Sequence, residues 1–260
     1  MLPGFDLTGR VALVTGAGSE AGIGFATARL LAGLGANVEL AATTDRAGER
    51  ARELAQAGFR ARGCLADLAD PDEAHRLVEE AIEHWGRLDI VVNNAGMTST
   101  SSSGAAESGS ALDVGPQAWR ASLARNLDSA FHVSRAALPG MRAREWGRIV
   151  NVASVTGPTM AMRGEAAYAT AKAGMVGLTR SLALDFAAEG VTVNAVAPGW
   201  IATASQTEHE RDQGLRTPMG RSGTSDEVAA AIAWLCTPGA AYTTGQCLVV
   251  DGGNSIAEER

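Results

Sequence analysis

Short, nearly unbroken apolar runs recur along the chain, separated by longer amphipathic stretches. This alternation restricts the available folds more than any other feature. The runs are Val11–Thr15, Val38–Ala42, Arg60–Leu65, Leu88–Val92, Arg148–Ala153, Val191–Val196 and Cys247–Val250. Several are apolar on consecutive rather than alternate residues, the pattern of strands covered on both faces. Between them, Ile23, Leu30, Leu31 and Leu34 fall near helical spacing. Asp70-Pro71-Asp72-Glu73 reads as a cap, a first-turn proline and acidic starting residues. Ala166–Phe186 and Ser225–Leu235 also read as helices. Strand–helix alternation of this kind predicts an α/β fold: a doubly wound parallel sheet of about seven strands with helices on both faces. The 260 residues suit one domain spanning 1–260, with no repeat and no linker.

Composition narrows the class further. With 46% hydrophobic and 20% charged residues, the chain is an ordinary globular sequence. No run reaches the roughly 18 apolar residues of a membrane span, and the start lacks the pattern of a secretory signal. A cytoplasmic location is expected. The net charge of −7 argues against a nucleic-acid partner, which calls for a basic footprint. Cys64, Cys236 and Cys247 match no zinc spacing and no disulfide framework, so buried or semi-buried thiols and no metal site are expected. Two segments break the alternation. Residues 98–111 are small and polar, and read as a serine-rich loop after the fourth strand. Residues 202–223 read as an irregular stretch over the site, a substrate lid.

Three motifs carry chemistry. The first strand runs into Thr15-Gly-Ala-Gly-Ser-Glu-Ala-Gly-Ile-Gly24, with a helix following. Glycines let the backbone approach a pyrophosphate, and the helix amino terminus offers N–H groups and a positive dipole end. The strand–turn–helix context makes this a dinucleotide-binding turn. The second motif is Tyr168-Ala-Thr-Ala-Lys172, whose i, i+4 spacing puts both side chains on one helix face. Of the 22 basic residues, Lys172 is the only lysine; it is a compact point charge where arginine would present a wide fork. An ammonium beside a phenol is expected to lower the phenol pKa from about 10, preparing it to exchange a proton with a carbonyl or alcohol oxygen. The third is Ser154, just beyond the fifth strand, where open α/β sheets bind ligands.

These motifs, in this order, resemble the short-chain dehydrogenase/reductases. The resemblance covers essentially the whole chain. Asn93-Asn94-Ala95-Gly96 matches the family's NNAG, and Asn126 its catalytic asparagine. Asp67 matches the acid that contacts the adenine, with Leu68 beside it. Pro198-Gly199-Trp-Ile201-Ala-Thr203 matches the segment near the nicotinamide, and Val250-Asp-Gly-Gly253 the closing strand. The resemblance implies that Tyr168 is the general acid/base and that Lys172 tunes it and holds the nicotinamide ribose. It implies that Ser154 polarises the substrate oxygen and Asn126 places a relay water. Cofactor contacts are implied at Gly16, Gly18, Ser19, Gly22, Ile23, Gly24, Thr43, Thr44, Asp67, Leu68, Asn94, Ala95, Gly96, Pro198, Gly199, Ile201 and Thr203, besides Tyr168 and Lys172.

There are departures from the family pattern. Glu20 and Ala21 look inserted in the glycine-rich turn, which leaves open whether Gly18 or Gly22 meets the phosphates. The Ser154–Tyr168 gap is a residue longer than common. At the end of the second strand, Ala42 stands where NAD enzymes carry an aspartate, and Thr43, Thr44 and Arg46 follow. NADP(H) is therefore expected, with NAD(H) possible through Asp45 or because of Glu20. The expected function is ketone–secondary alcohol interconversion by hydride transfer. The pattern also resembles that of 3-oxoacyl-carrier-protein reductases, and that activity is the alternative. It would need a basic docking patch, for which Arg142, Arg144 and Arg148 are the candidates. A non-catalytic dinucleotide-binding sensor or scaffold is a further alternative. The sparse apolar content of 203–219 points to a small or polar substrate, with Arg211 or Arg216 available to a carboxylate. A homotetramer is expected from the resemblance.

Overall fold

The protein is described by a computed structural model over residues 2–96 and 108–258. Seven parallel strands form one sheet: β1 (Val11–Thr15), β2 (Asn37–Ala42), β3 (Ala61–Leu65), β4 (Ile90–Asn93), β5 (Gly147–Val152), β6 (Val191–Pro198) and β9 (Cys247–Val250), in spatial order β3-β2-β1-β4-β5-β6-β9. Each lies on a run anticipated from the sequence, with ends shifted by at most two residues. β7 (Ile201–Ala202) and β8 (Gly223–Thr224) form a separate two-residue parallel pair that was not anticipated. The helices are α1 (Ile23–Gly33), α2 (Arg46–Gln56), α3 (Pro71–Trp85), α4 (Pro116–Leu123), α5 (Ser129–Ala143), α6 (Ala166–Phe186), α7 (Glu208–Leu215) and α8 (Ser225–Cys236).

The consecutive apolar residues of the strands are explained by the two layers they meet. Ala12 and Val14 of β1 face a core with Leu31 of α1, Leu54 of α2 and Ile232 of α8. Val11 and Leu13 face the opposite core with Leu77 of α3, Met141 of α5 and Leu182 of α6. α3 begins as its sequence indicates, with Asp70 Oδ1 accepting from the Asp72 amide at 2.9 Å. It ends at Gly86 in the left-handed region, which costs least without a Cβ.

The strand order reverses between β1 and β4. At such a switch point the loops leaving the two strands diverge, and a crevice opens beyond their carboxyl ends. A buried polar network stiffens the sheet beneath it. Asn93 Nδ2 donates to Asn151 Oδ1 at 2.8 Å and to Ser134 Oγ at 2.9 Å, and Asn151 Nδ2 donates to Thr179 Oγ1 at 2.9 Å. This ties β4, β5, α5 and α6 together through side chains that an apolar core would otherwise exclude. No helix among the described residues is long and apolar enough to cross a membrane. Cys64 and Cys236 are buried and Cys247 half-buried. The serine-rich stretch lies outside the described residues up to position 107.

Candidate active site

The glycine-rich turn connects β1 to α1 at the switch point. Gly16 has φ +64°, and a Cβ on it would come within 2.9 Å of Ala95 Cα. A Cβ on Gly24 would lie 2.6 Å from Asn94 Nδ2 and 2.7 Å from the Gly16 carbonyl oxygen. Asn94 clamps the turn: Nδ2 donates to the carbonyls of Thr15 at 3.0 Å and Gly16 at 3.1 Å. The amides of Asn94 and Ala95 both donate to Thr15 Oγ1. Gly22 caps α1, while Gly18 sits against Ala42 and Arg46 at the end of β2. The structure thus assigns the two glycines to different ends of the turn. The extra residues are anchored: the Ala21 carbonyl accepts from Ser225 Oγ at 2.7 Å, and the Glu20 carboxylate lies 3.9 Å from Arg50.

Along the ends of β2 and β3 lie Thr43, Thr44 and Asp67, all exposed, and buried Leu68. Arg46 Nε donates to Thr44 Oγ1 at 3.1 Å. These residues, with Gly18, Ser19 and Gly22, lie outside the main cleft. That cleft, of about 860 Å³, brings together Ile23, Asn94, Gly96, Ser154, Tyr168, Lys172, Pro198, Gly199, Ile201 and Thr203.

Tyr168 and Lys172 project from the first turns of α6. Lys172 is 3% exposed. Its Nζ donates to the Val152 carbonyl at 2.9 Å and lies 5.7 Å from the centre of the Tyr168 ring. Asn126 occupies a π-helical turn, Ala124–Asp128, between α4 and α5; such turns re-aim side chains and are frequent at functional sites. Its Nδ2 donates to the Ser122 carbonyl at 3.1 Å. A Cβ on Gly96 would lie 2.7 Å from Asn126 Oδ1 and 3.3 Å from Lys172 Nζ. Asn126, Lys172 and the glycine backbone therefore meet at one point. The π turn has no visible signature in the sequence, nor do the supporting roles of Ser134 and Thr179. Asn93 and Asn151, polar residues inside apolar strand runs, were the one signal for the network beneath.

The expected lowering of the Tyr168 pKa is not what the structure gives. Burial raises the phenol pKa, a hydrogen bond with Ser154 lowers it, and the charges of Glu165 and Glu210 raise it further. Lys172 yields instead: burial pulls its pKa down to about 8. Burial of an ammonium, with no carboxylate of the described residues beside it, is costly, so it loses its proton more readily. The phenol is held in its protonated, donor form. The Tyr168 ring is only half-buried and opens onto the cleft.

The far wall of the cleft corrects a second expectation. Neither Arg211 nor Arg216 lines it; Arg163, from the loop between Ser154 and Tyr168, does. Arg211 is exposed and lies 3.8 Å from Glu208. Leu215 and Met219, the two large apolar residues of the 203–219 stretch, are also exposed. Met160, Met162 and Trp200 supply apolar wall instead, facing His209, Glu210 and Gln213 of α7.

A parallel sheet with a glycine turn at its switch point, and a phenol–ammonium pair over the adjoining strand, define a nicotinamide-type oxidoreductase of the doubly wound class. Comparison with known proteins makes this specific. The family profile described as enoyl-(acyl carrier protein) reductase matches residues 16–255. The 3-oxoacyl-(acyl-carrier-protein) reductase FabG of Vibrio cholerae is 39% identical over 252 residues, covering 95% of this chain and 98% of the relative. Oxidoreductase UcpA of Escherichia coli K12 is 38% identical over 264 residues, covering 97% of each. Among solved structures, a dehydrogenase/reductase from Sinorhizobium meliloti superposes with a TM-score of 0.89 at 31% identity, over 99% of both chains. A candidate NAD(P)-dependent gluconate 5-dehydrogenase from Beutenbergia cavernae, holding NADP at low occupancy, gives 0.88 at 39% identity, over 98% of this chain and 100% of that one. The chain belongs to the short-chain dehydrogenase/reductase family, and it is an oxidoreductase.

Proposed function

We propose that the protein interconverts a ketone and a secondary alcohol, using NADP(H) in preference to NAD(H). The observation that carries this reading is the meeting of Ser154, Tyr168 and Lys172 in one cleft beside the glycine-rich turn. The bound nicotinamide supplies the hydride, and the protein supplies geometry and charge. Tyr168 passes its phenolic proton to the nascent alkoxide in reduction and takes it back in oxidation. Ser154 hydrogen-bonds the same oxygen and orients it. Lys172 replaces the lost phenolic proton electrostatically and holds the ribose hydroxyls. Its buried ammonium, with one carbonyl as its described acceptor, is suited to a neutral diol. Asn126 holds the water that links Lys172 to solvent.

The adenosine end supports a 2′-phosphate. Thr43, Thr44 and Arg46 present donors at the end of β2, with exposed Asp45 between them as a charge of the opposite sign. Glu20 would oppose that phosphate, and its carboxylate lies 3.9 Å from Arg50, which also pairs with Glu53 and Glu49. The phosphates lie over Gly22 at the α1 amino terminus, and Gly18 flanks the ribose. Residues 202–223 act as the lid.

The FabG relatives favour a second reading, 3-oxoacyl-carrier-protein reduction. Its docking patch is absent where it was sought: Arg142 pairs with Glu189, Arg144 with Asp89, and Arg148 is buried. Arg148 also belongs to the amino-terminal half of β5, away from the site. The protein is proposed to act as a cytoplasmic homotetramer. The groove between α5 and α6, bearing exposed Phe131, and the open edge of β9, bearing exposed Leu248, are the apolar faces such packing would cover. Turnover of a carbonyl panel with both nicotinamides tests the reading. Absence of any turnover, or an active Tyr168→Phe variant, would overturn it.

A further inference from the structure

The cleft described above has a substrate half whose charges are unevenly engaged. Glu210 is tied into the first turn of α7, where its carboxylate accepts from the Thr207 amide at 2.7 Å and from the Thr207 hydroxyl. Glu165 Oε1 accepts from Ser108 Oγ at 2.7 Å. Of the nearby lid cations, Arg211 lies beside Glu208, and Arg221 pairs with Glu227 at 2.6 Å. Arg163 differs from all of these. It lines the cleft, is exposed, and has no hydrogen bond or ion pair among the described residues.

Arg163 is also held by a defined turn. Gly164 follows it at φ +77°, and the Gly164 carbonyl accepts from the Gly109 amide at 2.7 Å. The same loop is closed at its other end by the Met160 amide donating to the Val155 carbonyl at 2.9 Å. The arginine is thus carried on a backbone fastened both near Ser154 and at the entrance to α6. A guanidinium carried on such a turn, with no partner of its own among the described residues, is available to take a carboxylate through two parallel hydrogen bonds. Glu165 and Glu210 add negative charge near the phenol, which disfavours a carboxylate there and favours one orientation of an anionic substrate. Its carboxylate lies at Arg163 and its carbonyl between Ser154 and Tyr168.

We infer that the substrate is a small oxo acid, or the corresponding hydroxy acid, whose carboxylate binds Arg163. This rests on the proposed reductase reading and specifies its substrate class. The reaction balances as a hydride from the reduced nicotinamide to the carbonyl carbon and a proton from Tyr168 to the carbonyl oxygen. The carboxylate takes no part in bond making.

The test measures kcat/KM with the preferred nicotinamide for acetoacetate and levulinate, each beside its methyl ester, in the wild type, Arg163→Gln and Arg163→Lys. The wild type is expected to favour acid over ester by at least tenfold for one of the pairs. In Arg163→Gln that ratio should collapse through a raised KM for the acid. Arg163→Lys should keep part of it, because the point charge remains but the fork is lost. Esters turned over as well as acids by the wild type, or an acid/ester ratio unmoved in Arg163→Gln, would overturn the carboxylate assignment and leave the reductase reading standing. Turnover of neither acids nor esters would overturn the assignment as well. Turnover surviving in Tyr168→Phe would instead remove the reading beneath it.

Discussion

Lys172 donates from Nζ to the main-chain carbonyl of Val152 at 2.9 Å, so the only lysine of the chain is fastened from α6 to the last residue of β5. The bond places the ammonium beside the carboxyl end of the strand that leads to Ser154. It does so in a buried position where no carboxylate of the described residues meets it. The charge is therefore tolerated rather than stabilised in the protein alone.

Replacing Tyr168 by phenylalanine should lower kcat by about 10²–10⁴-fold, the usual contribution of a general acid/base, with dinucleotide affinity nearly unchanged. Lys172→Arg should be severely impaired despite keeping the charge, because the guanidinium is too wide for the space beneath Gly96. Steady-state kinetics together with fluorescence titration of the reduced cofactor separate the two effects.

The position of Lys172 makes a stability prediction of unusual sign. Its folded pKa, about 8, lies below the reference value of 10.5. Below about pH 8 both folded and unfolded chains hold the proton, and the burial cost is fully present. Between about 8 and 10.5 only the unfolded chain holds it, so this group makes stability rise with pH. Lys172→Met should therefore raise Tm near neutral pH while abolishing activity. The shift corresponds to roughly 3 kcal/mol at most, and the gain should shrink as pH approaches 10. Thermal melts of both proteins across that range check it; a gain that grows with pH would contradict it.

Cofactor choice should respond to the charges at the end of β2. Arg46→Ala should cut kcat/KM for NADP(H) by tenfold or more, about 1.4 kcal/mol, and leave NAD(H) nearly unchanged. Arg50→Ala should act in the same direction by leaving Glu20 unanswered. A wild type favouring NAD(H) tenfold would show that Asp45 or Glu20 governs the pocket.

Gly24→Ala should be disproportionately damaging for one methyl group. The new Cβ would fall on Asn94 Nδ2 and the Gly16 carbonyl, displacing the clamp that shapes the glycine turn. A loss of about 1–3 kcal/mol, typical of overpacking, and a weakened dinucleotide affinity are expected from denaturant titration and binding measurements. Gly33→Ala, in the same helix with open space around it, should be nearly neutral or stabilising.

Sedimentation at micromolar concentration should give four times the 26.7 kDa chain mass. A species at the single-chain mass would refute the tetramer.

Much of this was legible in the sequence because it depends on local pattern. Seven apolar runs set seven strands, since a strand covered on both faces must be apolar at consecutive positions. Thr15–Gly24 announced the turn by its glycines, and Tyr168 and Lys172 announced a shared helix face by their spacing. What the pattern could not carry were quantities that depend on surroundings. The i, i+4 spacing brought the phenol and ammonium together, but the direction of their pKa shifts follows from burial and, for the phenol, from Glu165 at the entrance to α6 and Glu210 on α7. Sequence proximity suggested Arg211 and Arg216 for the substrate. The fold turns Arg211 outward beside Glu208, leaves Arg216 outside the cleft, and presents Arg163.

The chain by itself determined the order of strands and helices, the glycine turn and the spacing of the candidate catalytic residues, because each is written in neighbouring residues. Tertiary structure decided which charges meet. It set Arg50 against Glu20, tied Asn93 to Asn151 and Ser134, placed Asn126 on a π turn beside Lys172, and left the Arg163 guanidinium without a partner among the described residues. Electrostatic energies depend on distance and burial in space, and neither is a function of separation along the chain.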